Sequence, residues 1–159
     1  MTPTHQAALT VARESFAMFS EALAGLPDSA LQWRPDAQNT NSLAVLAAHS
    51  ITATRFWLGS GAGERKSIDD YRQTDRAPSF AVDGGAADDF RMQFDDMLAE
   101  LVTLFASGTE PHLAAEVAQP ADPSMTKSGV VCLVHGIGHL REHVGQAQLM
   151  RDLWLARKA

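Results

Sequence analysis

The stretch from His135 to Gln148, HGIGHLREHVGQAQ, places three histidines and three glycines within one long predicted helix. At 100° per residue, His135, His139 and His143 fall within one quadrant of that helix. Residues four apart lie about 6 Å apart along a helix, so two of these imidazoles can converge on one metal ion. The helix has a second apolar face, which predicts that it is buried on several sides, either centrally in a bundle or partly at a dimer interface.

Three further segments carry apolar residues at helical spacing, and the period-2 alternation of strands is nearly absent. The predicted helices are 4–24, Ser42 to Leu58, Ala86 to Ala106, and a fourth that begins near Thr126 or Ser128 and continues to Arg157. Two long connections join them. The first is polar and is expected to cross the surface and border a pocket, and the second is expected to contain a short strand or turn around 114–117. These patterns predict an all-α four-helix bundle in one domain over residues 1–159.

Composition excludes several classes of function. The chain has 13 Lys and Arg against 19 Asp and Glu, a formal charge of −6, so we expect no nucleic-acid partner. No apolar run approaches the roughly 20 residues of a membrane span. The single cysteine, Cys132, and the absence of a signal segment predict a cytoplasmic location.

The candidate third metal ligand is His49, because it lies within the apolar stripe of the second predicted helix. A single core histidine is more often a hydrogen-bonded structural residue, which is the competing interpretation. Glu142 and Gln146 lie in the same quadrant as the histidines and could hydrogen-bond the imidazoles. Glu142 could also activate a metal-bound water. The competing interpretation is that Glu142 is a solvated charge on the helix surface. The two remaining histidines are expected on the surface: His5 and His112.

The glycines suggest a packing role. Gly138 and Gly145 lie one above the other on the helical wheel, so we expect another backbone to pass close to them. On this hypothesis, leucine at either position destabilises the protein. A separate expectation concerns pH: protons compete with a metal for histidine, so metal affinity should fall between about pH 6 and 5.

The segment HLREHVGQ, together with NSLAVLAAHSITATRFWL and LPDSALQWRP, resembles the DinB/YfiT-like superfamily of metal-dependent enzymes over nearly the whole chain. The resemblance implies a bundle of up-down-down-up order, often dimeric, that binds Zn, Ni or another divalent ion. It assigns His139, His143 and His49 as the ligands and does not include His135. The wider superfamily includes thiol S-transferases and a thiol-dependent maleylpyruvate isomerase.

Three hypotheses follow from these residues. The first is a metal-dependent hydrolase or thiol S-transferase that activates a low-molecular-weight thiol or water towards a small-molecule substrate. Glu142 is its candidate catalytic residue. The second is a non-catalytic, metal-stabilised small-molecule binding protein, and the third is a structural bundle whose histidines are satisfied by hydrogen bonds. A homodimer is expected from the resemblance.

Overall fold

The computed structural model describes residues 1–157, and helices dominate it. In chain order the elements are α1 (Pro3–Leu23), α2 (Asp28–Gln32), α3 (Leu43–Gly61), α4 (Ile68–Asp70), a π-helical segment (Tyr71–Arg76), α5 (Ala77–Phe80), α6 (Ala87–Ala106), α7 (Glu110–Ala114), β1 (Glu116–Val117), a 3₁₀ turn (Pro123–Met125), β2 (Lys127–Ser128) and α8 (Gly129–Ala156). The four long helices α1, α3, α6 and α8 match the four predicted ones within a few residues. The all-α four-helix bundle is therefore confirmed.

Contacts near the helix ends show the direction of each long helix. His5, at the start of α1, donates from Nε2 to the carbonyl of Gly61 at the end of α3 (3.3 Å). Its ring lies 5.0 Å from that of Phe105, near the end of α6. Both α3 and α6 are thus antiparallel to α1. Arg151, near the end of α8, donates to the carbonyl of Ala22 near the end of α1 (3.0 Å), so these two helices are parallel. The order is up-down-down-up, as the resemblance implied.

The core lies where α6 and α8 each pack against both α1 and α3. The rings of Phe16 and Phe94 stack at 4.9 Å, and Phe19 meets Phe94 at 5.2 Å. All three side chains are almost fully buried. Burial of each large apolar side chain contributes about 1.5–3 kcal/mol, so this cluster holds the helices in register.

Local signals explain where the helices begin. Ser42 caps α3 by accepting from the amide of Val45, and Ser128 stands immediately before α8. The predicted strand near 114–117 is also present: Glu116 pairs with Ser128 and Val117 with Lys127 in a two-stranded antiparallel ladder. This ladder closes the second long connection directly before α8.

The sequence predicted that the first long connection is an irregular polar segment, but the structure shows it to be largely helical. Residues 68–80 form a nearly continuous helical run with a π-helical centre. Ser67 caps it by accepting from the amide of Asp70, while Ile68 and Tyr71 bury one face. The π turns break the regular 3.6-residue spacing, which is why periodicity did not indicate a helix.

The prediction for Gly138 and Gly145 is wrong. A Cβ atom at either position would have nothing within 4 Å, so both face open space. The close approach is at Gly136, where a Cβ would lie 2.8 Å from the Cβ of Trp57 in α3. One glycine of the three therefore allows α3 and α8 to pack closely.

The prediction that His5 lies on the surface is also wrong. His5 is fully buried, and its ring nitrogens bond the hydroxyl of Thr2 (2.8 Å) and the carbonyl of Gly61. His112 is half-buried beside Gly63. Among the described residues, no helix is long and apolar enough to cross a membrane.

Candidate metal centre

The antiparallel packing of α3 on α8 brings together the three histidines that the sequence singled out. One ring nitrogen from each of His49, His139 and His143 lies within 4.8 Å of the other two. The ring centroids are 5.1 Å apart for His49 and His139, 5.2 Å for His49 and His143, and 4.4 Å for His139 and His143. The spacing of four on α8 supplies one pair, and the opposing helix supplies the third ring.

Burial keeps these imidazoles neutral. It lowers the pKa of His49 to about 3 and that of His139 to about 4, because the charged form loses its hydration. The neighbouring histidines lower both pKa values further. Burial also lowers the pKa of His143, although the hydrogen bond with Gln146 and the charge of Glu142 oppose this shift. Neutral imidazoles offer the lone pairs that a metal ion requires.

Two side chains orient the rings. Nδ1 of His143 donates to Oε1 of Gln146 at 2.9 Å, one turn along α8. Nδ1 of His49 faces Oγ of Ser79 at 3.4 Å, and that hydroxyl donates to the carbonyl of Arg76 at 2.7 Å. With its own proton engaged, Ser79 can accept from His49. Both arrangements place the proton on Nδ1 and the lone pair on Nε2.

The donor set fits a divalent ion. Nε2 of His143 is buried and has no hydrogen-bond partner among the described residues. An unpaired buried polar atom is costly, so its presence at the meeting point of three imidazoles points to a ligand. Imidazole nitrogens suit Zn, Ni, Cu and Fe, and three protein ligands leave positions open for other groups.

The other residues of the predicted quadrant have different positions. His135 is exposed; its ring rests on Trp57 at 4.3 Å and lies 6.2 Å from the ring of His139. It lies outside the group of three converging nitrogens. Gln146 bonds His143, as one of the sequence alternatives expected. Glu142 is exposed.

A cavity of about 530 Å³ opens beside the histidines. Its walls come from α3, the helical run 68–80, the 3₁₀ turn and α8, and its lining residues are His49, Trp57, Ile68, Tyr71, Arg72, Arg76, Met125, His135 and His139. The expectation that the first connection borders a pocket is confirmed. Sequence reasoning missed Arg76 and Ser79 because they belong to that connection. The sequence signals of a helix there were Ser67, which caps it, and the apolar pair Ile68 and Tyr71 at a spacing of three, which the structure buries.

A second cavity, of about 410 Å³, borders another face of α3. Ion pairs of Arg55 with Glu64 and with Glu100 stand in its wall, together with Lys66 and Asp75. Its cations are already matched by carboxylates, and no histidine lines it. The histidines that could bind a metal therefore border the first cavity and not this one.

Comparisons with known proteins agree with this fold. The sequence profile of the DinB superfamily matches residues 12–147, a range that includes all three converging histidines. Among solved structures, a mycothiol-dependent maleylpyruvate isomerase superposes with a TM-score of 0.62 at 17% identity. A histidine-to-alanine variant of that isomerase gives 0.61 at 16%. Each comparison covers 91% of this chain but 62% of the other, so this chain spans less than two thirds of their length. No curated protein matches in sequence.

Proposed function

This chain belongs to the DinB superfamily, and from that premise we propose that it is a metal-dependent enzyme acting on a small-molecule substrate. His49, His139 and His143 are the proposed ligands of a divalent ion, Zn or Ni. The convergence of their nitrogens within 4.8 Å, with Nε2 of His143 buried and unpaired among the described residues, is the observation that carries the proposal.

His49, His139 and His143 would hold the ion as neutral ligands, and the ion would supply Lewis acidity that lowers the pKa of a nearby thiol or water. The residues of this chain do the rest. Gln146 and Ser79 orient two of the imidazoles, and Trp57 and Tyr71 form an apolar part of the cavity wall. We place a low-molecular-weight thiol ahead of water as the co-substrate, because the similar solved structure is named as a mycothiol-dependent isomerase. Hydrolysis by water is the second candidate.

Glu142 is the proposed proton acceptor. It precedes His143 directly, and its negative charge raises the pKa of His143 and of His135 against the lowering by burial. Its exposure leaves it free to exchange protons with solvent. The change Glu142→Gln should lower turnover without lowering metal content.

The experiment that tests the function combines metal analysis with activity. The purified protein is reloaded with Zn²⁺ or Ni²⁺ and assayed for transfer of low-molecular-weight thiols to electrophiles, and for hydrolysis of esters and amides. His139→Ala serves as the metal-poor control, and His135→Ala as the control on the same helix face. Thiol transfer that needs both the metal and His139 supports the transferase, whereas metal-dependent hydrolysis without a thiol supports the hydrolase. Bound metal without turnover would favour the alternative, a non-catalytic metal-stabilised binding protein.

We further propose that the protein is a homodimer that uses the outer face of α8. Val134 and Leu149 are 68% and 59% exposed there. Gly138 and Gly145 lie on the same face, and a Cβ at either position would have nothing within 4 Å, so this face is uncovered within one chain. Sedimentation equilibrium of Val134→Glu tests this, with Val102→Glu on α6 as the exposed control. Loss of dimer in Val134→Glu alone supports the assignment, and a monomeric wild type contradicts it.

A further inference from the structure

We propose that the cavity beside the three histidines binds a small carboxylate with an apolar body, and that Arg76 is the residue that recognises the carboxylate. The inference names the substrate class of the proposed enzyme and so rests on the proposed function. It comes from the charges that line the cavity and from their partners.

The cavity is electropositive in an acidic protein. The chain has a formal charge of −6, yet the lining includes two arginines and no aspartate or glutamate. A divalent ion at the histidines would add two further positive charges to the same wall. Both arginines are exposed to solvent, and a concave wall that gathers positive charges without an opposing carboxylate raises the local concentration of anions.

The two arginines differ in how their charge is matched. Arg72 pairs with Asp122 at 2.8 Å and lies 3.6 Å from Asp69, so its charge is satisfied within the protein. Arg76 forms no ion pair with any carboxylate of residues 1–157. Its guanidinium lies 4.6 Å from the centre of the Phe80 ring, a stacking contact that holds it in place but leaves its outer N–H groups available.

The position of Arg76 links it to the reacting centre. It ends the π-helical segment, and its carbonyl accepts from Ser79, whose Oγ in turn faces Nδ1 of His49. The ring of Phe80 contacts the Arg76 guanidinium on one side, and its centre lies 4.5 Å from that of the His49 ring. A carboxylate bound to Arg76 would therefore hold the rest of the molecule beside the three imidazoles.

The apolar residues that line the cavity indicate which kind of group the carboxylate would be attached to. Trp57, Ile68, Tyr71 and Met125 present aromatic, aliphatic and thioether surfaces. Tyr71 stacks on Phe56 at 4.3 Å, and burial raises its pKa to about 12, so the phenol stays neutral. A volume of about 530 Å³ suits a small organic molecule. An aromatic or unsaturated carboxylate matches both the charged and the apolar parts of the wall.

Isothermal titration with benzoate and with its neutral isostere benzamide tests the inference. Both probes are titrated into wild-type protein, Arg76→Gln, Arg76→Lys and Arg91→Gln, each in metal-loaded and chelator-treated form. Arg91 is an exposed arginine of α6, paired with Asp88 outside the cavity, and serves as the matched control. A thermal melt of each variant establishes that it is folded.

We expect wild type to bind benzoate about tenfold more tightly than benzamide, a difference that one charge-assisted hydrogen-bonded pair can supply. Arg76→Gln should lose this preference in both metal states, Arg76→Lys should retain part of it, and Arg91→Gln should match wild type. Equal binding of the two probes by wild type, no detectable benzoate binding, or full benzoate preference in folded Arg76→Gln would overturn the inference. Metal uptake by the reloaded wild type separates the two proposals. Benzoate preference in a protein that takes up no metal on reloading contradicts the proposed function alone, and metal uptake without benzoate preference contradicts this inference alone.

Discussion

Gln146 accepts a hydrogen bond from Nδ1 of His143 at 2.9 Å, and this contact directs the lone pair of Nε2 into the space between α3 and α8. The bond joins residues three apart on one helix, so the helix itself brings the two side chains within reach of each other. Nε2 of the same ring is buried without a partner among residues 1–157. A contact within α8 thus orients a ring nitrogen that can bind a metal ion.

The first prediction concerns that orientation. Gln146→Leu removes the acceptor, frees the ring to rotate and change tautomer, and should weaken metal affinity about 10- to 100-fold. Gln148→Leu, two residues further along α8 and exposed, is the matched control and should change affinity little. Competition with a chromophoric chelator measures both. Equal affinities in the two variants would show that Gln146 does not position a ligand.

A second prediction addresses the ligands themselves. Alanine at His49, His139 or His143 removes one of three donors, so each variant should retain little metal after purification. His135→Ala should retain most of it, because the His135 ring rests on Trp57, outside the converging group. Elemental analysis of the four variants provides the measurement. Metal loss confined to His135→Ala and His139→Ala would mean that the wrong pair on α8 has been assigned.

The glycines of α8 give a third prediction, which replaces the one made from the sequence. Gly136→Ala should destabilise the protein by about 1–3 kcal/mol, because its Cβ would lie 2.8 Å from the Cβ of Trp57. Gly138→Ala should be neutral or stabilising by up to about 1 kcal/mol, since open space surrounds that position and alanine favours the helix. Urea unfolding of this matched pair supplies the test. Similar losses in both variants would be evidence against close packing at Gly136 as the cause.

The fourth prediction is the pH dependence of stability. The folded-state pKa values of His49 (about 3) and His139 (about 4) lie below the usual 6.5, so the unfolded chain takes up protons first as pH falls. The stability of the metal-free protein should be fully present above pH 6.5 and decline from there towards pH 4 and below. Each such histidine removes up to about 1.4 kcal/mol per pH unit in that window. His139→Asn should flatten the decline, which urea unfolding between pH 7.5 and 4.5 would reveal.

The lowered pKa values of the histidines also change the expected effect of pH on metal binding. Burial lowers the pKa of all three proposed ligands, to about 3 for His49 and about 4 for His139, so protons compete with the ion at a lower pH than they would for free imidazoles. The difference in melting temperature between metal-loaded and metal-free protein should therefore fall less between pH 7.5 and pH 5.5 than it would for ligands with a pKa of 6.5. A markedly smaller difference at pH 5.5 would mean that the folded-state histidines titrate near their ordinary pKa.

The sequence by itself determined the elements and their chemistry wherever the causes are local. Helical periodicity predicted the four long helices, and the hydroxyl of Ser42 marked the start of α3. The spacing of four placed His139 and His143 on one face of α8, and the same geometry brought Gln146 to His143. These relationships depend on residues within about one turn of each other, so no knowledge of the bundle was needed to infer them.

Only the tertiary structure decided what covers each helix face. Gly136 and Gly138 are two residues apart on one helix, yet α3 packs against the first and open space lies over the second. His5, expected at the surface, is enclosed by the ends of α3 and α6. Periodicity shows which residues share a face, but the neighbour opposite that face is set by long-range packing. For the same reason, the sequence does not show that Arg76 and Ser79 lie near His49. Packing of the helical run 68–80 against α3 brings them there.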